Sequence, residues 1–212
     1  MTLKITEIFQ SVQGEGPHTG RIAVFVRLGM CNFRCSWCDT TYSFDNFRDM
    51  TEDEILSEIS KYASKYVIIT GGEPFLQDLT LLLQKLKAAG YFVACETNGS
   101  LAPDYLEYFD LVVISPKGPS AGQYKNSVDK VVEKSRAPVL KIVIANDGDI
   151  KFAQQLYERF REIPFYAQLE WSLASSEKER LVEKMKQYNE WVNDVHIRVQ
   201  EHKVIFGERP GV

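Results

Sequence analysis

The chain has 212 residues, of which 44% are hydrophobic and 25% are charged, and its formal net charge is −4 at pH 7. This size and composition suit one soluble domain with a buried core, so we predict a single domain over residues 1–212. The longest apolar runs are of strand length and no Lys/Arg cluster stands out, which argues against a membrane span and a dedicated nucleic-acid surface. A small-molecule substrate fits this composition better.

Short β-rich runs alternate with helical patterns along the chain. The predicted strands are Ile22–Leu28, Tyr66–Thr70, Tyr91–Cys95, Leu111–Ser115, Val139–Ile144 and Phe165–Leu169, with Val195–Val199 as a strand that would close the sheet. Strands that are apolar almost throughout are typical of a parallel sheet covered by helices. About six βα units are too few for a closed eight-stranded barrel, which typically needs about 250 residues. We therefore predict an α/β fold with a partial, open (β/α) barrel.

The predicted helices lie between these strands. Thr51-Glu-Asp-Glu54 is a capping box, and apolar residues at helical spacing follow it. Asp78 is expected to cap a second helix, which Gly90 would end. The remaining predicted helices are a short one near Asp104–Tyr108, one from about Gly148 with apolar residues as far as Phe160, and one from a second capping box, Ser176-Glu-Lys-Glu179, through about Glu190.

Three cysteines follow the first predicted strand at the spacing C-x3-C-x2-C, as Cys31, Cys35 and Cys38. Each thiolate can ligate one iron of a [4Fe–4S] cluster, and such clusters normally take four cysteines. The only other cysteine, Cys95, comes after further predicted strands and is interpreted as a small buried hydrophobic residue. One iron would then keep an open coordination position, which is where metal sites perform chemistry.

Other interpretations of these cysteines remain open. A structural zinc site needs four ligands, and His18, the nearest upstream histidine, lies thirteen residues before Cys31 and behind a predicted strand. A dithiol redox pair of Cys35 and Cys38 leaves Cys31 without a role. The first ten residues contain no secretory signal, so we expect the cytoplasm, where thiols stay reduced and a structural disulfide is disfavoured.

Polar motifs follow the predicted strands at their carboxyl ends, where parallel α/β sheets carry their chemistry. The cysteine motif follows the first strand, Thr70-Gly-Gly-Glu-Pro74 the second, Glu96-Thr-Asn-Gly99 the third and Ser115-Pro-Lys117 the fourth. Gly71 and Gly72 would let the backbone approach a ligand that a Cβ atom obstructs, although glycine and proline also mark simple turns. Solvated loops are the alternative explanation for Glu96, Asn98 and Lys117.

The cysteine spacing, followed by the motif Gly71-Gly-Glu-Pro74, resembles the pattern of the radical S-adenosylmethionine (SAM) superfamily. The resemblance implies a barrel of the radical SAM type and a [4Fe–4S] cluster on Cys31, Cys35 and Cys38. The open iron would chelate the amino and carboxylate groups of SAM, and reductive cleavage would give a 5'-deoxyadenosyl radical. The residues expected to contact SAM are Trp37, Cys38, Asp39, Gly71, Gly72, Glu73, Glu96, Asn98, Ser115 and Lys117.

Four segments spread from residue 7 to residue 203 resemble motifs of the 7-carboxy-7-deazaguanine synthase family. They are Glu7-Ile-Phe-Gln-Ser-Val-Gln-Gly-Glu-Gly-Pro17, Phe25-Val-Arg27-Leu-Gly, Trp37-Cys-Asp-Thr40 and Gln200-Glu-His202-Lys203. The resemblance implies a lyase that converts 6-carboxy-5,6,7,8-tetrahydropterin to the 7-deazapurine 7-carboxy-7-deazaguanine, a step toward the transfer RNA bases queuosine or archaeosine. The adenosyl radical would remove the C6 hydrogen, the ring would contract and ammonia would be lost.

The same resemblance implies Mg2+ as a further cofactor, a homodimer, and a reductant such as flavodoxin or ferredoxin. The cluster and SAM would carry the hard chemistry, so no side chain is assigned a catalytic role beyond them. The resemblance also implies Thr40 as the Mg2+ ligand, since the family has a hydroxyl residue at this point of its motif, and this hard cation prefers oxygen and usually keeps several waters. Asp39 is a rival ligand on grounds of charge, although adjacent side chains usually diverge.

The expected substrate has donors and acceptors like those of guanine, and a carboxylate. Gln13 offers an amide that donates and accepts, and Gly14 would allow close approach of the backbone. Arg27 is a planar bidentate donor suited to a carboxylate. His202 could bind the substrate or be structural. The residues expected to bind the substrate are Val12, Gln13, Gly14, Glu15, Arg27, Thr70 and His202.

Two other classes of function compete with this one. An enzyme that installs a glycyl radical on a large partner protein also uses the C-x3-C-x2-C spacing in a short chain. It would bind a polypeptide, so it needs neither the QGEG motif nor Arg27 beside the cysteine loop. A non-enzymatic iron–sulfur or zinc module would not bind SAM.

Overall fold

The computed structural model describes residues 2–122, 124, 126–191, 193–209 and 211. Nine strands in this part of the chain form one sheet. They are β1 (Thr2–Val12), β2 (Ile22–Leu28), β3 (Arg48–Thr51), β4 (Tyr66–Gly71), β5 (Phe92–Thr97), β6 (Leu111–Ile114), β7 (Pro138–Ile144), β8 (Phe165–Leu169) and β9 (Val195–Arg198). Their order across the sheet is β3-β1-β2-β4-β5-β6-β7-β8-β9.

Neighbouring strands from β2 to β9 are all parallel, whereas β1 pairs antiparallel with both β2 and β3. The sheet begins at β3 and ends at β9, so it does not close on itself. This arrangement confirms the predicted α/β fold with a partial, open barrel. The last predicted strand, at residues 195–199, corresponds to β9, which forms one edge of the sheet.

The helices are α1 (Glu52–Ser60), α2 (Thr80–Ala88), α3 (Val128–Lys134), α4 (Asp147–Arg159), α5 (Ser175–Lys186) and α6 (Glu201–Phe206). The first five cover one face of this sheet, whereas α6 contributes no buried residue. Buried side chains of α1 to α5 share one core with alternate residues of the strands, and Cys95 lies in that core. No helix in the described part of the chain is long and apolar enough to cross a membrane.

Helix caps show where the local sequence signals work and where they fail. At Thr51, the Oγ1 atom accepts a hydrogen bond from the backbone N–H of Glu54 at 3.3 Å, and the carboxylate of Glu54 accepts from the N–H of Thr51 at 2.7 Å. The second capping box, predicted at Ser176–Glu179, is wrong. The helix α5 follows Ala174 without a side-chain cap and ends at Lys186, before Glu190.

Four short or mixed elements escaped the sequence analysis: β1, β3, α3 and α6. The strand β1 alternates apolar with polar residues and was interpreted only as a binding motif, and α3 has just seven residues. These elements depend on neighbours for their stability, because β1 gains its order by pairing with β2 and β3.

The inner face, which is the face of the sheet opposite α1–α5, changes character along the strands. Successive residues of a strand point to opposite faces. Near the amino ends of the parallel strands, the inner face carries an apolar cluster of Ala23, Phe25, Tyr66, Ile68, Ala94, Leu111, Val113, Val139 and Tyr166. Two residues further along five of these strands come Arg27, Thr70, Glu96, Lys141 and Gln168. A polar layer therefore lies at the carboxyl ends, above an apolar floor.

Candidate active site

A cavity of about 230 Å³ opens at the carboxyl ends of the parallel strands, over the polar layer. The predicted site residues that line it are Val12, Gln13, Gly14, Glu15, Arg27, Cys31, Cys35, Trp37, Cys38, Asp39, Thr40, Thr70, Gly71, Gly72, Glu96, Asn98, Ser115, Lys117 and His202. The only predicted site residue that does not line it is Glu73. The structure thus brings together residues from segments that are far apart in the sequence.

The cysteine loop follows β2 and presents three half-buried thiols to the cavity, those of Cys31, Cys35 and Cys38. Burial raises the pKa of each thiol, and the positive charge of Lys117 acts in the opposite direction on all three. A residue outside the loop packs against it, because the ring of Phe33 stacks on that of Tyr124 with the centroids 4.1 Å apart.

Cys95 and His18, the nearest histidine upstream of the cysteine loop, lie outside the cavity. Cys95 is fully buried in the core beneath the helices, on the face of β5 opposite Glu96. His18 precedes β2, so the whole strand separates it from the cysteine loop, and its Nδ1 atom is hydrogen-bonded to the hydroxyl of Tyr66. A zinc site completed by His18 is therefore not formed.

The three thiols suit a cluster better than a mononuclear site. Among the described residues, no group of three or more His, Cys, Asp or Glu side chains is arranged to hold a metal ion. In a cubane each thiolate binds a different iron, so the sulfur atoms need not converge on one point. The donor set of the loop, three cysteines facing one cavity, fits a cluster with one open iron.

The glycine motif is hydrogen-bonded to the cysteine loop and packs closely against it. The backbone N–H of Gly72 donates to the carbonyl oxygen of Leu28 at 3.1 Å, and that of Glu73 donates to the carbonyl of Met30 at 2.8 Å. A Cβ atom on Gly72 would overlap the carbonyl oxygen of Met30 and lie 3.0 Å from the backbone nitrogen of Cys31. The glycine is therefore needed for contact between the two loops, whatever ligand it also approaches.

Glu73 lies beneath the cavity wall and is fully buried. Its carboxylate accepts hydrogen bonds from the backbone N–H of Asn98 and the hydroxyl of Thr97, both at 2.7 Å, and from the N–H of Phe75 at 3.1 Å. Burial raises its pKa despite these hydrogen bonds. This carboxylate joins the end of β4 to the loop after β5, where the side chain of Asn98 in turn donates to Asn32 of the cysteine loop at 3.0 Å.

Lys117 is not the surface lysine that its position in a loop would suggest. Its ammonium donates to the hydroxyl of Ser115 at 2.9 Å and lies 5.5 Å from the ring centroid of Trp37. Burial lowers its pKa, while the Cys35 thiolate raises it. A positive charge is thus held beside the cysteine loop.

The segment after β1 crosses the inner face of the sheet. Gln13 is buried, and its amide donates to the Glu96 carboxylate at 2.9 Å. The Glu15 carboxylate forms an ion pair with Lys141 of β7 and accepts from the amide of Gln200 at 2.7 Å. Thr70 reaches the same Glu96 carboxylate at 3.5 Å. The QGEG motif therefore belongs to the site through side chains that contact three separate parts of the fold.

Gly14 has a packing role that was not foreseen. Its carbonyl oxygen accepts from the backbone N–H of Glu201 at 3.1 Å. A Cβ atom at Gly14 would lie 2.5 Å from the backbone nitrogen of His202 and 2.8 Å from its Cβ atom. The glycine therefore lets the start of α6 settle on the QGEG segment and places His202 at the cavity.

Arg27 is paired inside the protein through only part of its guanidinium. Its Nε atom donates to the carboxylate of Glu7 at 2.7 Å, and the hydroxyl of Tyr42 donates to the same carboxylate oxygen at 2.7 Å. The two terminal nitrogens of Arg27 have no hydrogen-bond partner among the described residues. They are the pair of donors that a carboxylate ligand would use.

Thr40 and Asp39 contact each other instead of diverging. The Thr40 hydroxyl donates to one carboxylate oxygen of Asp39 at 2.8 Å, and the other oxygen lies 2.9 Å from the ammonium of Lys203. Burial alone would raise the pKa of Asp39, but the charge of Lys203 and the hydrogen bonds outweigh it and lower this pKa to about 2. Asp39 is therefore an anion already paired with Lys203.

The cavity is also lined by residues that the sequence analysis did not single out as site residues, among them Lys141, Gln168, Gln200 and Lys203. Lys141 and Gln168 each interrupt an apolar strand, which was the available signal. Both side-chain polar atoms of Gln168 are buried without a hydrogen-bond partner in the described structure. Gln200 and Lys203 belong to a motif that was recognised, but only His202 was assigned a role.

Comparisons with known proteins show the family of this chain. The model of the radical SAM superfamily matches residues 26–134. The 7-carboxy-7-deazaguanine synthase of Neisseria meningitidis is 43% identical over 166 residues, which cover 77% of this chain and 73% of the relative. The enzyme of the same name from Thermoplasma acidophilum is 36% identical over 215 residues, covering 98% of this chain and 99% of the relative.

The fold is also similar to that of a solved structure. The crystal structure of QueE from Escherichia coli superposes with a TM-score of 0.77 and covers 94% of each chain at 24% sequence identity. At this level of identity the likeness concerns the fold alone, and it extends over nearly all of the chain.

Proposed function

Because this chain belongs to the radical SAM superfamily and, within it, to the 7-carboxy-7-deazaguanine synthase family, we propose that it converts 6-carboxy-5,6,7,8-tetrahydropterin to 7-carboxy-7-deazaguanine with loss of ammonia. The chain is a radical SAM enzyme, and the family implies a [4Fe–4S] cluster and SAM. The observation that carries the proposal is that Gln13, Arg27 and His202 line the same cavity as the three cysteines.

The cluster would be held by Cys31, Cys35 and Cys38. When bound, the cluster and SAM would supply the radical chemistry for removal of the C6 hydrogen of the substrate and for the ring contraction. The chain's own residues bind and orient the ligands and exclude water. The proposed SAM contacts are Trp37, Cys38, Asp39, Gly71, Gly72, Glu73, Glu96, Asn98, Ser115 and Lys117, among which Glu73 would act through the loop that it fixes.

The substrate would lie over the polar layer. Arg27 would bind the substrate carboxylate through its two terminal nitrogens, while Glu7 holds its Nε atom. Thr40 would ligate Mg2+ beside that carboxylate. The other residues proposed to bind the substrate are Val12, Gln13, Gly14, Glu15, Thr70 and His202.

The setting of the reaction is part of the proposal. We infer a single radical SAM domain over residues 1–212 that acts in the cytoplasm as a homodimer and receives electrons from a reductant such as flavodoxin or ferredoxin. The product would enter the route to queuosine or archaeosine. Neither an activating enzyme for glycyl radicals nor a cluster module without SAM accounts for the QGEG segment lining the cavity.

An anaerobic assay with the carboxylated pterin tests the function. Reconstituted protein, SAM, Mg2+ and a reductant should form a deazaguanine chromophore, and Cys31→Ala, Cys35→Ala and Cys38→Ala should each lose both the cluster and turnover. Cys95→Ala is the matched control, because that thiol lies in the core beneath the helices. A full cluster of four irons in Cys35→Ala, or absence of the deazaguanine with a loaded cluster, would contradict the proposal.

A further inference from the structure

Lys141 is a buried charge that the activity proposed above does not use. It interrupts the apolar strand β7, and only 7% of its side chain is exposed. Its ammonium forms an ion pair with the Glu15 carboxylate and lies 4.0 Å from the carboxylate of Glu96. A lysine is almost never buried unless it is paired, so these two contacts account for its charge.

The ion pair closes a ring of four side chains. The Gln13 amide donates to Glu96 at 2.9 Å, and its oxygen accepts from the backbone N–H of Glu15 at 3.1 Å. Glu15 then pairs with Lys141, which returns to Glu96. The ring joins the QGEG segment to β5 and β7 across the inner face, and all four side chains line the cavity.

The charges of this ring do not cancel, since it contains two carboxylates and one ammonium. Burying a carboxylate is costly unless hydrogen bonds and opposite charge compensate for it. For Glu15, burial raises the pKa, but the charges of Lys141 and His202 and the hydrogen bond from Lys141 together outweigh it, so the pKa is lowered overall. For Lys141, burial lowers the pKa, and the charges of Glu15 and Glu96 more than reverse this. Both partners therefore stay charged near neutral pH.

We propose that Lys141 is a positioning residue that holds the Glu15 carboxylate in place as a hydrogen-bond acceptor for N–H groups of the substrate. The inference rests on the proposed function, because a pterin ring presents several N–H donors and a carboxylate is a strong hydrogen-bond acceptor. Lys141 itself acts through Glu15.

Removing Lys141 should make substrate binding depend on pH. Without the lysine, its charge and its hydrogen bond no longer oppose the burial of Glu15, so the pKa of this carboxyl group rises toward neutral pH and its protonated form loses acceptor capacity. Binding should then recover as the pH rises and the carboxylate ionises. The other charged groups that act on the pair are Glu96 from β5, Lys117 after β6, Asp39 in the cysteine loop and His202 in α6. These groups remain in the variant, so the comparison with the parent isolates the lysine.

The test measures binding of the carboxylated pterin to the anaerobic holoenzyme without reductant, so that no turnover occurs. Lys141→Met should raise the dissociation constant of the pterin about thirtyfold or more at pH 7, the effect of truncating one partner of a buried charge pair. The loss should shrink as the pH is raised to 9. Lys141→Arg should restore most of the affinity, and SAM affinity and iron content should change less than about threefold. Lys151→Met, on the exposed side of α4, is the matched control.

A double variant distinguishes loss of the Glu15 carboxylate from misfolding of the single variant. Lys141→Met with Glu15→Gln removes both charges of the pair, so position 15 carries no unpaired carboxylate, and Glu96 keeps its hydrogen bonds from Gln13 and Thr70. It should bind the pterin weakly at every pH, without the recovery seen in Lys141→Met. Pterin affinity in either variant within about threefold of the parent at all pH values would overturn the role of Lys141, as would equal losses of pterin and SAM affinity. If the parent enzyme itself does not bind or convert the pterin, the proposed function fails instead.

Discussion

At the scale of single residues, Arg27 uses only one of its hydrogen-bond donors inside the protein and leaves its two terminal nitrogens for a ligand in the cavity. Glu7 occupies its Nε atom and Tyr42 donates to the same carboxylate oxygen, so two neighbours fix the plane of the guanidinium. Burial, with the Glu7 hydrogen bond as a further cause, raises the pKa of Tyr42 to about 12, so its hydroxyl remains a donor. An arginine held in this way loses little entropy when a carboxylate binds its terminal nitrogens.

Arg27→Ala should therefore weaken binding of the pterin and leave SAM binding nearly unchanged. Loss of a charge-assisted bidentate contact with a buried carboxylate costs about 2–5 kcal/mol, or about thirtyfold or more in the dissociation constant. Arg21→Ala, at an exposed arginine just before β2, is the control. Equal loss of affinity for SAM and pterin would remove Arg27 from this role.

Thr40 and Asp39 can be separated as Mg2+ ligands by substitution. Asp39 is already bound to Lys203 and to the Thr40 hydroxyl, so a metal at Thr40 would have to share or displace that hydroxyl contact. Thr40→Val keeps the shape of the side chain and should lower turnover and remove most of its dependence on Mg2+. The measurement is the rate against Mg2+ concentration. If Thr40→Val responds to Mg2+ as the parent does while Asp39→Asn does not, the ligand is Asp39.

At the scale of elements, the glycine motif and the cysteine loop form one unit. The end of β4 donates two backbone hydrogen bonds to Leu28 and Met30, and the space at Gly72 is filled by the backbone of the loop. A substitution at Gly72 must therefore displace residues beside Cys31 before it can affect a cofactor.

Gly72→Val should consequently reduce cluster incorporation, in addition to weakening SAM binding. We expect the iron content after reconstitution to fall below about half of the parent value, because the overlap is with backbone atoms that cannot rotate away. Gly20→Asn is the control, since a Cβ atom there meets nothing within 4 Å and asparagine tolerates its φ of +88°. A full cluster with weakened SAM binding would mean that the loop adapts and that Gly72 serves the cofactor alone.

The sequence predicted the parallel strands and the first capping box because those signals are local. Thr51 and Glu54 satisfy each other within one turn, so their pattern is sufficient. The box at Ser176–Glu179 failed because the helix begins earlier: α5 starts at Ser175, so Ser176 lies inside its first turn and does not cap it. The strand β1 was missed because its mixed apolar and polar residues were interpreted only as a binding motif, and its pairing with β3 joins segments that are separated in the sequence by β2 and the cysteine loop.

Most of the candidate site was predictable from motifs, but its charge partners were not. Parallel strands that are apolar on both faces show no alternation, so the sequence does not reveal which face of β7 carries Lys141. The pairing of Lys141 with Glu15 spans 126 positions and depends on the path of the QGEG segment over the sheet. The sequence also did not reveal that Gly14 is needed for packing against His202, because this contact likewise joins residues far apart in the chain.

At the scale of the whole molecule, the two ends of the chain meet over the cavity. Glu201 donates its backbone N–H to Gly14, Gln200 donates to Glu15 at 2.7 Å, and Lys203 pairs with Asp39 at 2.9 Å. The helix α6 has no buried residue of its own, so these polar contacts hold it in place. They couple the position of His202 to the cysteine loop on one side and to the QGEG segment on the other.

Lys203→Met should therefore loosen the whole C-terminal segment. The lysine side chain is only 10% exposed, and a hydrogen bond to a charged group contributes about 1.5–3 kcal/mol, which corresponds to about tenfold or more in a local opening equilibrium. Amide hydrogen exchange over residues 201–207 should accelerate by at least that factor, because short elements with few apolar contacts open locally before the core does. Exchange in β5 and β6 should not change, and pterin affinity should fall with the loosened His202. Lys186→Met, which removes an exposed pair with Glu183 on α5, serves as the control. Unchanged exchange over 201–207 in Lys203→Met would show that Gln200 and the backbone contact to Gly14 suffice to hold the segment.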